Sequence, residues 1–136
     1  MKQQRNGTKQ GHYKTYLFIK KNIKEVYADD TKVTDELITR YHKMALRVGN
    51  RQAFIDRAKI DFKSGSQVNI DKLKSILTAT LLIWGAEDNW IPLDNGIRMD
   101  SMLINSELHI LENSGHVPME ESPEESLAIL KNFLFK

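Results

Sequence analysis

Apolar residues in the first half of the chain recur three and four positions apart, which predicts helices. In the first such stretch, which we expect to begin at Tyr13, they are Tyr16, Leu17, Ile19, Ile23, Val26 and Tyr27. A second helix should begin after Thr34, whose hydroxyl can cap the free backbone amides. We expect it to end at Gly49, because helices often stop at a left-handed glycine. A third helix is predicted over residues 51–62.

The second half of the chain has a different pattern. Residues 80–84 form a short, continuous apolar run that ends at Gly85, which is typical of a strand buried on both faces of a parallel sheet. A helix over 93–103 and a strand over 107–111 follow, so the order predicts one βαβ unit and an α/β fold. Ser122 and Glu125 have the spacing of a capping box, which should open a last helix. Its apolar residues, expected to face the sheet, are Leu127, Leu130, Phe133 and Leu134.

Length and composition indicate one globular domain, since the chain has 136 residues, of which 40% are hydrophobic and 28% charged. Residues 1–24 carry seven Lys or Arg and no acid. We interpret residues 1–12 as a disordered basic terminus. A nucleic-acid surface is the alternative, but no binding motif supports it, so no nucleic-acid partner is expected.

Several classes of site are not expected. There is no cysteine, and the four histidines have no paired spacing, so we predict neither a metal site nor a cofactor. Apolar runs fall short of the ~20 residues that span a bilayer, and the start of the chain lacks a signal-peptide core. We therefore expect a cytoplasmic protein without a membrane partner.

Two residues with catalytic potential follow the two predicted strands. Asp88 lies four residues after Trp84, and His116 lies five residues after Leu111. Parallel neighbouring strands would place both loops at the same edge of the sheet. The carboxylate could then bind one imidazole nitrogen and leave the other as a general base. The spacing alone leaves a purely structural explanation open, because many such loops carry an Asp and a nearby His.

The residue pattern itself narrows the choice. The segment LLIWGAEDNWIP, followed 28 residues after its Asp by GHVPMEESPEES, resembles the C-terminal part of α/β-hydrolase-fold proteins. The resemblance implies that Asp88 is the acid and His116 the base of a catalytic triad. The segment VTDELITRYHKMALRVGNRQAFIDR also looks like the end of the helical cap of these enzymes. On this basis residues 13–50 are a helical cap segment and residues 51–136 the C-terminal part of the core. Ala79 departs from the family, which often has Pro there.

The family's nucleophile motif, G-x-S-x-G, is missing from the sequence. The only two glycines four positions apart are Gly7 and Gly11, with Lys9 between them. We therefore expect a C-terminal fragment that is inactive alone and that pairs with an N-terminal half or with itself. Within the complete enzyme, the resemblance implies a small apolar ester-like substrate. Trp90 and Val117 are candidates for lining its pocket, although Trp90 could equally pack under the cap.

Two further interpretations of the same residues remain. A truncated gene product could act as a non-enzymatic interaction module, with the open edge of strand 80–84 as its docking surface. His42 and His109 lie in a predicted helix and a predicted strand, so we expect structural roles for them. Ser114 lies close to His116 but lacks the strained turn that exposes a nucleophile, so we do not expect it to be catalytic.

Overall fold

The computed structural model describes residues 9–59 and 70–136. The first of these ranges and the start of the second are helical: α1 (Lys9–Val26), a 3-10 turn (Asp30–Lys32), α2 (Asp35–Ala45), α3 (Asn50–Ala58) and the short α4 (Ile70–Lys74). The rest of the chain alternates strands and helices: β1 (Thr80–Gly85), α5 (Leu93–Met102), β2 (Ser106–Leu111), α6 (Pro118–Glu121) and α7 (Pro123–Leu134). No helix in these two ranges is both long and apolar enough to cross a bilayer.

The two strands form a parallel pair, as predicted, with helix α5 connecting them. Thr80 lies beside Ser106 at one end and Gly85 beside Leu111 at the other. Helix α5 contains Gly96 because a Cβ there would lie 2.8 Å from the indole of Trp84. Within the described ranges β1 has β2 as its sole strand partner, so its other edge is open. This open edge leaves the β1 side chains only partly buried.

Helices α1 and α2 pack together and form a small core. Its buried members are Ile23, Tyr27 and Ile38, and Val117 from the segment after β2 packs against them. Helix α2 begins as predicted, because the hydroxyl of Thr34 accepts the backbone N–H of Leu37. Helices α1 and α2 are therefore joined to the βαβ unit through its last loop.

The predicted helix boundaries are partly wrong. Helix α1 begins at Lys9, four residues before Tyr13, and residues 1–8 lie outside the described ranges. Helix α2 ends at Ala45, because the chain turns at once: Arg47 N–H bonds to the Met44 carbonyl. Gly49 has the expected left-handed conformation, with φ of 92°, but it precedes α3 instead of ending α2. Residues 60–62 of the third predicted helix also lie outside the described ranges.

The predicted start of the last helix needs two corrections. Ser122 makes no capping hydrogen bond, so the capping box with Glu125 is not formed. The cause is α6, which draws the Ser122 N–H to the Pro118 carbonyl and leaves its hydroxyl 2.8 Å from that of Ser114. Helix α7 also turns Ser126 inward, where its hydroxyl bonds to the Pro118 carbonyl. Three residues expected to face the sheet are exposed: Leu127, Leu130 and Leu134.

Candidate active site

Two loops meet at the carboxyl ends of β1 and β2. Backbone hydrogen bonds join them, from Ala86 N–H to the Leu111 carbonyl (3.0 Å) and from Glu87 N–H to the Ser114 carbonyl (3.0 Å). The backbones approach so closely at Gly85 that a Cβ there would lie 2.1 Å from the carbonyl oxygen of Gly115. Only glycine fits at this contact, which explains why Gly85 stands between the strand and the loop that carries Asp88.

Asp88 and His116 come together across these loops. Nδ1 of His116 lies 2.9 Å from Oδ2 of Asp88, whose side chain is only 5% exposed. The other carboxylate oxygen, Oδ1, accepts the backbone N–H groups of Trp90 (2.9 Å) and Ile91 (2.8 Å). A carboxylate fixed on both oxygens favours the tautomer that carries a proton on Nδ1. In the described part of the chain Nε2 has no hydrogen-bond partner, so it is free to accept a proton.

The end of α1 forms a hydrogen bond with the backbone of His116, whose ring contacts Asp88. The His116 N–H donates to the Val26 carbonyl over 2.8 Å. The preceding N–H, of Gly115, donates to Oε1 of Glu121 over 2.7 Å. A Cβ on Gly115 would lie 2.4 Å from the Val26 carbonyl oxygen, so the glycine before His116 is also required by close backbone contact.

Polar side chains also form hydrogen bonds between the helical segment and α6, next to the contact between Val26 and the His116 loop. Oε2 of Glu120 accepts hydrogen bonds from the Tyr27 hydroxyl and from the Arg40 guanidinium, both over 2.7 Å. Burial raises the pKa of Tyr27 and of Tyr41, and the charge of Glu120 raises both further. These contacts connect α1 and α2 to α6, which directly follows the His116 loop.

No family model matches the chain. Over 111 residues, 80% of its length, it is 35% identical to a 2-hydroxy-6-oxononadienedioate/2-hydroxy-6-oxononatrienedioate hydrolase from a Pseudomonas species, and it covers 38% of that protein. A His-tagged serine hydrolase involved in carbazole degradation has a similar structure, with a TM-score of 0.78 and 21% identity over 88% of this chain and 46% of the other. An alpha/beta hydrolase fold protein from Burkholderia ambifaria gives a TM-score of 0.65 and 19% identity over 89% and 44%.

The chain has the fold of the C-terminal part of an α/β hydrolase. This confirms the fold class and the resemblance to α/β-hydrolase-fold proteins that were predicted from the segments around Asp88 and His116. The chain spans about two fifths of the length of the curated relatives it matches, such as the 41% it covers of a Pseudomonas putida hydrolase that is 28% identical to it.

The remaining candidate residues, Trp90, Val117 and Ser114, have different surroundings in the structure. The ring of Trp90 lies 5.5 Å from that of His116, and the residue is 50% exposed. Val117 packs against the helical core. Their roles as pocket residues stay predictions. Ser114 is fully buried and bonded to Ser122, so its hydroxyl is not presented as a nucleophile.

The structure also describes the side chains of His42 and His109, whose structural roles stay predictions. His42, on α2, packs edge-on against the ring of Tyr16, with 5.6 Å between the ring centroids. His109, on β2, lies 4.0 Å from Oε1 of Glu107. In the part of the chain that the structure describes, no three His, Cys, Asp or Glu residues are grouped in a way that could hold a metal ion.

Sequence reasoning missed Glu120 and Glu121. Glu121 is buried, and both side chains accept hydrogen bonds from the segment just after α1, Glu120 from the Tyr27 hydroxyl and Glu121 from the Ala28 N–H. Nothing in their own pattern distinguishes them from solvated helix-start acids, because their partners lie about ninety positions earlier in the chain.

Proposed function

We propose that this chain supplies the acid and the general base of an α/β-hydrolase active site, and that the nucleophile comes from another segment. The observation that carries the proposal is the bond between Nδ1 of His116 and a buried Asp88 whose second oxygen is already fixed. An acid–base pair of this kind has no catalytic use without a group to deprotonate. The absence of a G-x-S-x-G motif from the sequence means that this chain is expected to be inactive alone.

The pair would act in two proton transfers. Nε2 of His116 takes the proton from the attacking hydroxyl, or from water where the nucleophile is an aspartate, and then gives it to the leaving group. Asp88 stays ionised, holds the ring in the Nδ1–H tautomer and stabilises the imidazolium formed between the two transfers.

The substrate proposed for the complete enzyme is small and ester-like, with an apolar part bound between the core and the cap helices. Trp90, which lies beside the His116 ring with half of its surface exposed, is the described residue best placed to contact it. The name of the Pseudomonas relative, an oxononadienedioate hydrolase, favours a carbon–carbon bond next to a ketone as the alternative target.

Complementation tests the proposal directly. The chain is co-expressed with the N-terminal part of the Pseudomonas relative, cut before the region that aligns with this chain, and assayed with a p-nitrophenyl ester and an oxo-dienoate. Activity should require both pieces and disappear with His116→Ala. His42→Ala is the matched control, since it removes an imidazole that packs on Tyr16. Activity from this chain alone that survives His116→Ala would overturn the mechanism.

A non-enzymatic interaction module is the second candidate, and the open edge of β1 favours it. An unpaired strand edge is a template for another strand, which could come from a partner, an N-terminal half or a second copy. A pull-down that finds one stoichiometric partner, and hydrogen exchange that shows protection of residues 80–85 in the complex, would support this function. The expected cytoplasmic location stays a prediction.

A further inference from the structure

Glu121 is a buried carboxylate that the proposed proton transfers do not use. It is 5% exposed, and no cation among the described residues forms an ion pair with it. Burying a carboxylate costs free energy unless its oxygens are hydrogen-bonded. The hydrogen-bond partners of Glu121 therefore explain how it can be buried. Those partners are two backbone amides from distant parts of the chain.

Each oxygen of Glu121 holds one of the two segments. Oε1 accepts the N–H of Gly115, the residue before His116, and Oε2 accepts the N–H of Ala28, just after α1. Both bonds are 2.7 Å long, as expected for amides that donate to a charged acceptor. The carboxylate therefore bridges the His116 loop to the end of α1.

This bridge works together with the direct bond from the His116 N–H to the Val26 carbonyl. If the His116–Val26 hydrogen bond were the only link to α1, the loop could rotate about it. A second link, from the neighbouring Gly115 through Glu121, fixes the orientation of the loop. The direction of the imidazole depends on that orientation, and the 2.9 Å contact with Asp88 is sensitive to it.

We propose that Glu121 is a positioning residue for His116, which it orients toward Asp88 by holding the Gly115 N–H against the end of α1. The inference rests on the proposed role of His116 as general base. Helix α1, part of the cap-like helical segment, thereby determines the orientation of the imidazole through this carboxylate. Glu120, its neighbour, accepts hydrogen bonds from Tyr27 and Arg40, and none from Gly115 among the described residues.

The test is Glu121→Gln, with Glu120→Gln as the matched control one position away. A glutamine oxygen can accept one of the two amides, but its NH₂ group then meets the other N–H, so one bridge is lost with little change in volume. The chain is labelled with ¹⁵N-histidine, and the Nδ1 and Nε2 shifts of His116 are followed against pH. Amide exchange at Gly115 and Ala28 is measured in parallel.

Glu121→Gln should move His116 from a single Nδ1–H tautomer to a mixture and speed exchange at Gly115 by about tenfold, while Glu120→Gln leaves both unchanged. Faster exchange at Gly115 with unaltered His116 nitrogen shifts would overturn the inference and make Glu121 a purely structural residue. Equal effects of the two variants would also overturn it.

Two further measurements keep the proposal testable. If Glu121→Gln does not fold, Glu121→Asp keeps the charge but is shorter by one methylene, and an unaltered His116 tautomer in that variant contradicts the inference. In the complemented enzyme, Glu121→Gln should lower kcat with little change in KM. If His116→Ala leaves that activity intact, the proposed function fails, whereas the NMR result on His116 stands independently.

Discussion

The carbonyl oxygen of Val26, in the last turn of α1, accepts a 2.8 Å hydrogen bond from the backbone N–H of His116. This bond joins the helical segment to the loop that carries the candidate base. Together with the Asp88 contact on the other side of the ring, it holds His116 between two separate parts of the fold. The geometry of the site therefore depends on backbone contacts as much as on the two side chains.

Asp88→Asn should block catalysis while it preserves the fold. The Trp90 and Ile91 N–H groups favour the amide oxygen on their side, so the NH₂ group faces Nδ1 and forces the proton of His116 onto Nε2. Nε2 can then no longer accept a proton, and we expect kcat of the complemented enzyme to fall by roughly 10⁴. The ¹⁵N shifts of His116 report the tautomer directly.

Asp88→Ala is the comparison for that variant. It removes the acceptor of the part-buried hydrogen bonds from the Trp90 and Ile91 N–H groups, each worth about 1 kcal/mol, whereas the asparagine still accepts both. Urea unfolding of the three proteins measures the difference. Equal stability of the alanine and asparagine variants would contradict the role assigned to Oδ1.

Gly85→Ala should separate the two loops. The added methyl group would lie 2.1 Å from the Gly115 carbonyl oxygen and 2.2 Å from that of Ser114, so the backbones must move apart. We expect a loss of about 1–3 kcal/mol of stability, as for other overpacked sites, and a weakened Asp88–His116 contact. Thermal unfolding and the His116 imidazole signals measure the two effects.

Gly49→Ala serves as the control for Gly85. Its φ of 92° makes any side chain strained, by about 1–2 kcal/mol, but no atom lies within 4 Å of the added Cβ. It should therefore destabilise the chain by a similar amount without changing the His116 signals. If both variants alter His116 equally, the effect comes from general destabilisation and not from the loop contact.

The stability of the protein should fall as the pH rises above 10. Burial raises the pKa of Tyr27 and Tyr41 above 10.0, their ordinary value, so the folded state keeps protons that the unfolded state has lost. The stability that these tyrosines contribute is present below pH 10 and is lost at higher pH. Urea unfolding between pH 8 and pH 11 measures it.

Tyr27→Phe isolates that effect. It removes the hydroxyl that donates to Glu120 and keeps the ring in the helical core, so the loss of stability with rising pH should be smaller than in the wild-type protein. Tyr13→Phe, at an exposed position of α1, should leave the pH dependence unchanged. Parallel curves for Tyr27→Phe and the wild-type protein would show that another group titrates.

We expect the isolated chain to associate with itself, because within the described residues one edge of β1 is unpaired and three leucines of α7 are exposed. Sedimentation over a concentration series measures the association. Leu130→Lys reduces it if the α7 face is involved and leaves it unchanged if the strand edge alone is responsible. A monomer that melts cooperatively would contradict the prediction.

The sequence predicted the βαβ unit and the positions of Asp88 and His116 because these depend on local signals. The apolar run that ends at Gly85, the Asp88 that follows it, and the Gly115–His116 pair are each recognised from fewer than a dozen neighbouring residues. The parallel strands then bring the two turns together, as the 2.9 Å contact shows. The cap of α2 at Thr34 was predicted correctly for the same reason, since it involves only neighbouring residues.

What the sequence did not predict depends on tertiary contacts that neither periodicity nor local propensity marks. The buried role of Glu121 needs Ala28, and the failed capping box at Ser122 follows from its contact with Ser114 across a turn that no periodicity marks. The exposure of Leu127, Leu130 and Leu134 was not predicted either, nor was the burial of Ser126, whose hydroxyl bonds to the Pro118 carbonyl.

The close approach of Gly85 to Gly115 has a consequence for assembly. Since the backbones themselves set the distance between acid and imidazole, the pair is complete before any other polypeptide docks. A partner that brings a nucleophile would not have to order these two groups. Binding of that partner therefore loses no conformational entropy of the acid and the imidazole. Reconstitution of activity then reduces to placing one reactive atom within reach of Nε2.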